Sequence, residues 1–203
     1  EAILRADQII RGLLDFSRPI ASVLKPHPIA PVIDEALALA KKQGGGDNVQ
    51  VTREIPPNLP RVMIDPEQMK QLFINLILNA FQAMPEGGRL SIRCSIKSLT
   101  QPGYRVGYRA TDFFHPGEKA LACEIRDTGP GIPKEILLKV FDPFFTTKPP
   151  GKGTGLGLSV CWAIVENHRG LITIESEGGG GTWVSVLLPM TQNPRGGEKR
   201  DAR

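Results

Sequence analysis

The sequence predicts an α/β fold with helices packed on one face of a sheet, and three observations carry that expectation. A capped amphipathic helical pattern runs over 65–84. Strands with alternating apolar and polar residues follow over 90–96, 121–127 and 182–188. Between the last two, a glycine-rich run from Gly151 leads into a second apolar helix. The chain has 203 residues, 40% of them hydrophobic, which suits one globular domain with extensions.

Taken in order, residues 1–17 place Ile3, Ala6, Ile10, Leu13 and Leu14 at the spacing of a coiled-coil or bundle helix, which Pro19 stops. Lys25-Pro26-His27-Pro28 reads as an extended linker. Pro31 then opens a short helix through Ala40, closed by Gly44-Gly45-Gly46, and strands are expected over 49–53 and 62–64. The polar, charged tail after Met190 is expected to be disordered. No internal repeat is evident. The resulting division is 1–19 helical, 20–30 linker, 31–190 the main domain and 191–203 tail.

The helix over 65–84 is the best specified element. Asp65 is a natural N-cap, Pro66 fits the first turn, and Gln68 stands where a capping box would close. Met69, Leu72, Phe73, Leu76, Ile77, Ala80, Phe81 and Met84 make one apolar face. Asn75 and Asn79, four apart, share a neighbouring row with Gln71 and Gln82. These amides are either satisfied interhelical partners or neutral oxygen ligands for a magnesium ion held mainly by phosphates.

Leu90, Ile92, Cys94 and Ile96 alternate with polar residues, as a one-sided sheet requires. In the next strand Leu121, Cys123 and Ile125 face inward, and the following inward position is Asp127. A carboxylate aimed at the core side must find donors. Backbone amides of its own loop are one source; the amino group of adenine is another. Thr182 begins the inward row of the last strand, beside Asp127 if the two strands are neighbours. Gly151-Lys152-Gly153-Thr154-Gly155-Leu156-Gly157-Leu158 precedes a helix carrying Val160, Ile164 and Val165. Such a run is either a flexible loop or a phosphate cradle at a helix N-terminus, and it is neither a P-loop nor a dinucleotide fingerprint. Upstream, Phe141, Phe144 and Phe145 can pin the loop while Lys148 and Lys152 supply charge, which describes a lid.

Asn75-Leu-Ile-Leu-Asn79-Ala80, DTGPGI from Asp127, FDPFF from Phe141 and GTGLGL from Gly153 occur in fixed order. In these motifs, and in the closing GTWVSVLLP, the chain resembles the catalytic ATP-binding domain of bacterial sensor histidine kinases, in the superfamily shared with type II topoisomerases and Hsp90 chaperones. NAFQAMPEGG is similar to the nitrogen-regulation type. The resemblance spans roughly 28–189 and implies a two-layer α/β sandwich of the Bergerat type, a mixed sheet with helices on one face, preceded by a helical fragment. It implies Mg-ATP as cofactor, with Asn79 the principal metal ligand and Asn75 assisting. Asp127 would hold the adenine amino group with Gly129, Gly131 and Thr182. Gly153, Gly155 and Gly157 would cradle phosphates. Gln82, Ile132, Phe141, Thr147, Lys148, Lys152, Thr154, Leu156 and Leu158 complete the implied nucleotide site, and Asn75, Asn79 and Lys148 the catalytic set.

The ATP-hydrolysing and serine-phosphorylating relatives carry a glutamate base four residues before the metal asparagine. Here that place holds Asn75, which takes no proton. An imidazole needs little help as a nucleophile, so the match implies transfer to histidine. The family's acceptor, a histidine followed by an acid on a dimerisation helix, has no counterpart here. The chain's histidines are His27, His115 and His168, and none has that context. RADQIIRGLLDFSRP resembles the end of the second dimerisation helix, so a fragment with its acceptor upstream is expected. Implied partners are its own dimerisation and phosphoacceptor domain, as a homodimer in the full protein, and a response regulator receiver domain. A nucleotide-sensing scaffold and an anti-sigma-type serine kinase are the alternative readings.

The remaining composition excludes other classes. The net charge of +4 owes much to the tail, and no basic stripe is interleaved with aromatics, so nucleic acid is not expected. No apolar run approaches a membrane span and no signal peptide opens the chain. The three cysteines, Cys94, Cys123 and Cys161, read as reduced, half-buried thiols of a cytoplasmic protein.

Overall fold

The computed structural model describes residues 22–43, 46–99, 114, 117–149, 153–176 and 178–190. The helical pattern over 1–17, His115, Lys152 and the tail lie outside the described residues. Two layers are formed. A five-stranded mixed sheet runs in the order β2 (Val49–Glu54), β4 (Gly88–Ser98), β5 (Lys119–Asp127), β7 (Thr182–Pro189) and β6 (Leu171–Ser176). Only the β2–β4 pair is parallel. Helices α1 (Ile29–Lys42), α2 (Pro66–Ala83) and α4 (Gly157–Asn167) supply the other layer, and α3 (Lys134–Leu137) is a single turn. Strand β1 (Lys25–His27) pairs antiparallel with β3 (Val62–Ile64) as a separate ribbon.

The core lies between these layers. From α2 come Met69, Leu72, Phe73 and Ile77, each fully buried; from the sheet come Leu90, Ile92, Leu121, Cys123 and Val186. Fully burying such side chains stabilises by about 1.5–3 kcal/mol each. The surface pairs Arg53–Asp34 and Arg93–Glu54 contribute at most about 1 kcal/mol each. Burial of the α2 stripe against the sheet therefore decides the fold.

Several details depart from the sequence expectations. The Lys25–Pro28 stretch is extended but not a free linker, because it pairs with β3. Helix α1 begins at Ile29, two residues before Pro31, and runs to Lys42. Pro31 is tolerated as the third helical residue because that amide has no intrahelical partner anyway. The sheet is not strictly one-sided: Leu99, Ala120, Ala122, Leu171 and Leu187 form a second small cluster on the opposite face, with Phe114 against it. Ile96, expected inward, is exposed near the end of β4. All three cysteines are fully buried rather than half-buried. Strand β6 and the turn α3 add to the elements read from sequence.

The capping box does not close. Asp65 Oδ1 accepts from the backbone amides of Glu67 (3.0 Å) and Gln68 (3.2 Å), as an N-cap should. The Asp65 amide, which Gln68 would have served, instead donates to His168 Nε2 at 2.9 Å. Gln68 is left buried with neither amide atom partnered among the described residues. His168 is fully buried at the C-cap of α4, and its Nδ1 lies 2.7 Å from the Ile164 carbonyl. Since Asp65 N–H must donate, Nε2 is bare, Nδ1 carries the proton, and the ring is neutral.

Burial holds the His168 pKa below its ordinary 6.5, against smaller upward pulls from the Ile164 carbonyl and Asp65. Protonation then favours the unfolded chain, where the ring titrates near 6.5. Stability is fully present above that pH and is lost as pH falls from there through the folded value. Urea midpoints measured between pH 7.5 and 5 should fall for the native chain, and less for His168→Gln. Equal slopes in the two proteins would refute the neutral, buried assignment.

Candidate functional site

One wall of the site is a loop made rigid by backbone bonds. Asp127, the last residue of β5, is 6% exposed, and its Oδ1 accepts from the amides of Gly129 (2.8 Å) and Thr182 (3.2 Å). Strands β5 and β7 are neighbours, with Arg126 opposite Trp183, which brings Thr182 beside Asp127. Desolvation raises the Asp127 pKa above its ordinary value, and the Gly129 and Thr182 hydrogen bonds offset part of that. Both amides use one carboxylate oxygen, and the Thr182 side chain also bonds the carboxylate. A Cβ on Gly129 would lie 2.9 Å from Asp127 Oδ1 and 3.1 Å from Ala83 Cβ, so no side chain fits between this loop and the end of α2. Beyond it, Ile132 N–H donates to Ser176 Oγ (2.7 Å), and Gly179 N–H to the Pro130 carbonyl (2.8 Å). The DTGPGI loop is thereby fastened to the β6–β7 turn.

The facing wall is the amide row of α2. Asn79 Oδ1 lies 3.3 Å from Lys148 Nζ, and the same ammonium bonds Gln82 Oε1. Lys148 is partly buried, and that burial lowers its pKa. Two amide oxygens aimed at one cation are the donor chemistry a hard divalent ion uses. Among the described residues no three His, Cys, Asp or Glu side chains converge as a metal site. A magnesium ion here would therefore rely on Asn79, phosphates and water, and the oxygens present fit it. Asn75 is directed elsewhere. Its Nδ2 donates to the Gly157 carbonyl at 3.4 Å, its Oδ1 accepts from Gln71 at 3.5 Å, and its amide also lies beside the Cys161 thiol. It ties α2 to α4, so this arrangement does not place it at a metal.

The third component is the start of α4. Leu156, the N-cap, offers no side-chain bond, and the first turn holds no acid. Its amides and the positive helix end thus remain for an anion. Gly157 lies beside Asn79, whose Nδ2 would be 3.9 Å from an added Cβ. Leu156 is buried and Leu158 packs against the core, which fixes the direction of the turn. Thr154 Oγ1 accepts from the Leu156 amide at 3.3 Å, so it shapes the loop. Gly155 has φ +68°, and a Cβ there would sit 2.3 Å from the Phe144 carbonyl carbon.

The predicted residues thus gather at two ends of the site. Asp127, Gly129 and Thr182 meet at one end, with Ile132 and Gly131 in the same loop. Asn79, Gln82 and Lys148 meet at the other, with Gly153 and Gly157 adjacent; Thr147 is exposed next to Lys148. Phe141 packs on the core as expected, but Phe144 is 57% exposed and adopts φ 67°. The segment meets Gly155 there through the Phe144 backbone and not through the ring. Sequence reasoning missed Ser176 and Gly181, whose carbonyl accepts from Ser176 Oγ at 2.7 Å. A serine at a strand end carries no periodic signal. His27 Nδ1 lies 2.8 Å from the neighbouring Pro28 carbonyl. His168 is sealed in the core with both ring nitrogens engaged, so it is not presented as an acceptor.

A two-layer sandwich with an acid at the end of one strand, an amide helix opposite and an uncapped glycine-led helix between them defines an ATP-binding catalytic domain. Residues 64–192 match the family described as histidine kinase-, DNA gyrase B- and HSP90-like ATPase, and the chain belongs to it. It is 32% identical over 189 residues to sporulation kinase E of Bacillus subtilis (strain 168), covering 93% of this chain and 23% of that one. The chain thus spans about a quarter of that relative's length. Its fold superimposes on the catalytic domain of histidine kinase ThkA with TM-score 0.62, at 30% identity, covering 83% of this chain and 96% of that one. It also matches histidine kinase ThkA in complex with the response regulator protein TrrA (TM-score 0.67, 26% identity, 94% of this chain and 48% of that one). The chain is a catalytic ATP-binding domain of the sensor histidine kinase kind.

Replacing Gly155 tests the lid contact. Gly155→Ala places a methyl inside the Phe144 backbone and strains φ, so stability should fall by about 1–3 kcal/mol. An unchanged urea midpoint would show that the two segments do not touch.

Proposed function

We propose that this domain transfers the γ-phosphoryl group of Mg-ATP to a histidine outside the chain, for relay to a response regulator. The observation that carries the reading is the composition of α2. Its one carboxylate, Glu67, sits in the first turn, far along the helix from Asn79. Where a base would face the phosphates there is Asn75, committed to Gly157. A pocket without a base aimed at water retains ATP until a nucleophile arrives, and a neutral imidazole is one.

The roles of the residues follow. Asp127 accepts from the adenine amino group with its carboxylate, which Gly129 and Thr182 hold in place. The α4 amides from Gly157 onward receive phosphate oxygens, and Lys148 adds charge where the transferring group gains it. Asn79 Oδ1 holds magnesium, whose chemistry when bound is to neutralise the triphosphate. Asn75 acts by position, keeping α4 against α2. Catalysis rests on alignment and charge, with the acceptor brought by the partner domain. The partners proposed are its own dimerisation and phosphoacceptor domain and a receiver domain, the latter supported by the ThkA likeness. The nitrogen-regulation subtype rests on NAFQAMPEGG alone. No helix among the described residues is long and apolar enough to cross a membrane, and a cytoplasmic setting is proposed from the kinase reading.

Labelled ATP should leave the isolated chain unlabelled and label a supplied phosphoacceptor domain at an acid-labile site. Acid-labile label on the chain alone would overturn the proposal. Asp127→Asn separates binding from folding. Asparagine Oδ1 still accepts from Gly129 and Thr182 while a costly buried charge is removed, so the melting temperature should not fall. Calorimetry with a non-hydrolysable ATP analogue should nonetheless show at least roughly tenfold weaker binding.

A further inference from the structure

The 141–149 segment is hydrogen-bonded to α2 through one side chain. Among the described residues its hydrogen bonds to that helix are those from Lys148 Nζ to Asn79 Oδ1 and Gln82 Oε1. Its other bonds are local, such as Lys148 N–H to Thr146 Oγ1 at 3.2 Å and Asp142 N–H to the Lys139 carbonyl at 3.0 Å, and the Phe144 backbone lies against Gly155. Asn79 Oδ1 is therefore already directed at a positive charge belonging to the protein.

We propose that Lys148 and a divalent metal are rivals for Asn79 Oδ1, so that metal entry displaces the Lys148 ammonium from that oxygen. The inference rests on the nucleotide-site reading for the metal's presence, and on distance for the exclusion. A magnesium-sized ion sits about 2 Å from an amide oxygen. An ammonium 3.3 Å from that same oxygen would lie within a few ångströms of the ion, and like charges that close in a partly buried site repel strongly. One cation must leave, and the divalent one binds the oxygen more tightly. Gln82 acts in this scheme as the second hook that parks the ammonium. It is exposed, one turn beyond Asn79, and gives the lysine a hold that a metal at Asn79 does not share. Lys148 is then a placeholder cation whose charge is freed for the phosphates when metal and nucleotide arrive together.

The test uses Mn2+ alone with the full chain, reading free metal by electron paramagnetic resonance. Lys148→Met should bind Mn2+ at least roughly threefold more tightly than the native chain. Removing a positive charge could do this through the field alone, so Gln82→Leu is the deciding variant. It keeps every charge, and it too should tighten Mn2+ binding, whereas Asn79→Ala should lose it. Equal affinities in the native chain and Gln82→Leu, detectable or not, would overturn the rivalry, as would weaker binding in Gln82→Leu. Failure of the nucleotide reading shows separately, as no binding of a magnesium–ATP analogue by the native chain.

Discussion

The site depends on how α2 is fixed at its first residue. Asp65 caps the helix with one carboxylate oxygen, accepts the Val23 amide (3.2 Å) with the other, and gives its own amide to His168 at the end of α4. Two helices that bury apolar stripes on the same sheet could slide over one another with little penalty, because oil packs against oil in many registers. The bond between Asp65 and the neutral imidazole removes that freedom, since it is directional and leaves a buried donor unsatisfied if it slips. Once α2 and α4 are registered there, Asn79 and Gly157 meet near the other end of the pair, and Asn75 bridges them.

The sheet supplies a second fixed point by a different means. Asp127 ends β5 on the helix side, and the pleat requires its carboxylate to face the layer interface. Two backbone amides stabilise it there without neutralising it. The site is thus spanned between a buried anion at one end and a partly dehydrated ammonium at the other. Ligand recognition is set by what can complement both, a base edge with a donor and a polyanion with its counter-ion.

Much of this was legible in the chain because it is periodic or local. The α2 stripe, its Asp65 cap and the inward placement of Asp127 follow from helical and strand repeats, and the Asp127–Thr182 contact from one assumption about strand order. What was not legible is non-local. Nothing near Gln68 announces that His168, a hundred residues on, takes the amide its capping box needs. Asn75 and Asn79 look equivalent in sequence, yet one faces Gly157 and the other Lys148, because the neighbouring segments differ. The exposure of Phe144 follows from a left-handed backbone that no residue pattern of Phe-Phe-Thr-Thr signals.

The cysteines have a consequence for how the molecule can be observed. Cys94 and Cys123 lie opposite each other on β4 and β5 with sulfurs 3.4 Å apart, and Cys161, on α4, faces the Leu72 carbonyl of α2. Burial pushes the Cys161 thiol up to about 12, and the Cys94 sulfur together with burial raises Cys123 well above its usual range. An alkylating reagent finds no access to the three sulfurs while the layers are closed, and at Cys123 and Cys161 no thiolate either. The chain therefore carries its own chronometer. The rate at which a thiol dye reacts reports how often sheet and helices part, and the three sulfurs distinguish opening of the β4–β5 seam from lifting of α4.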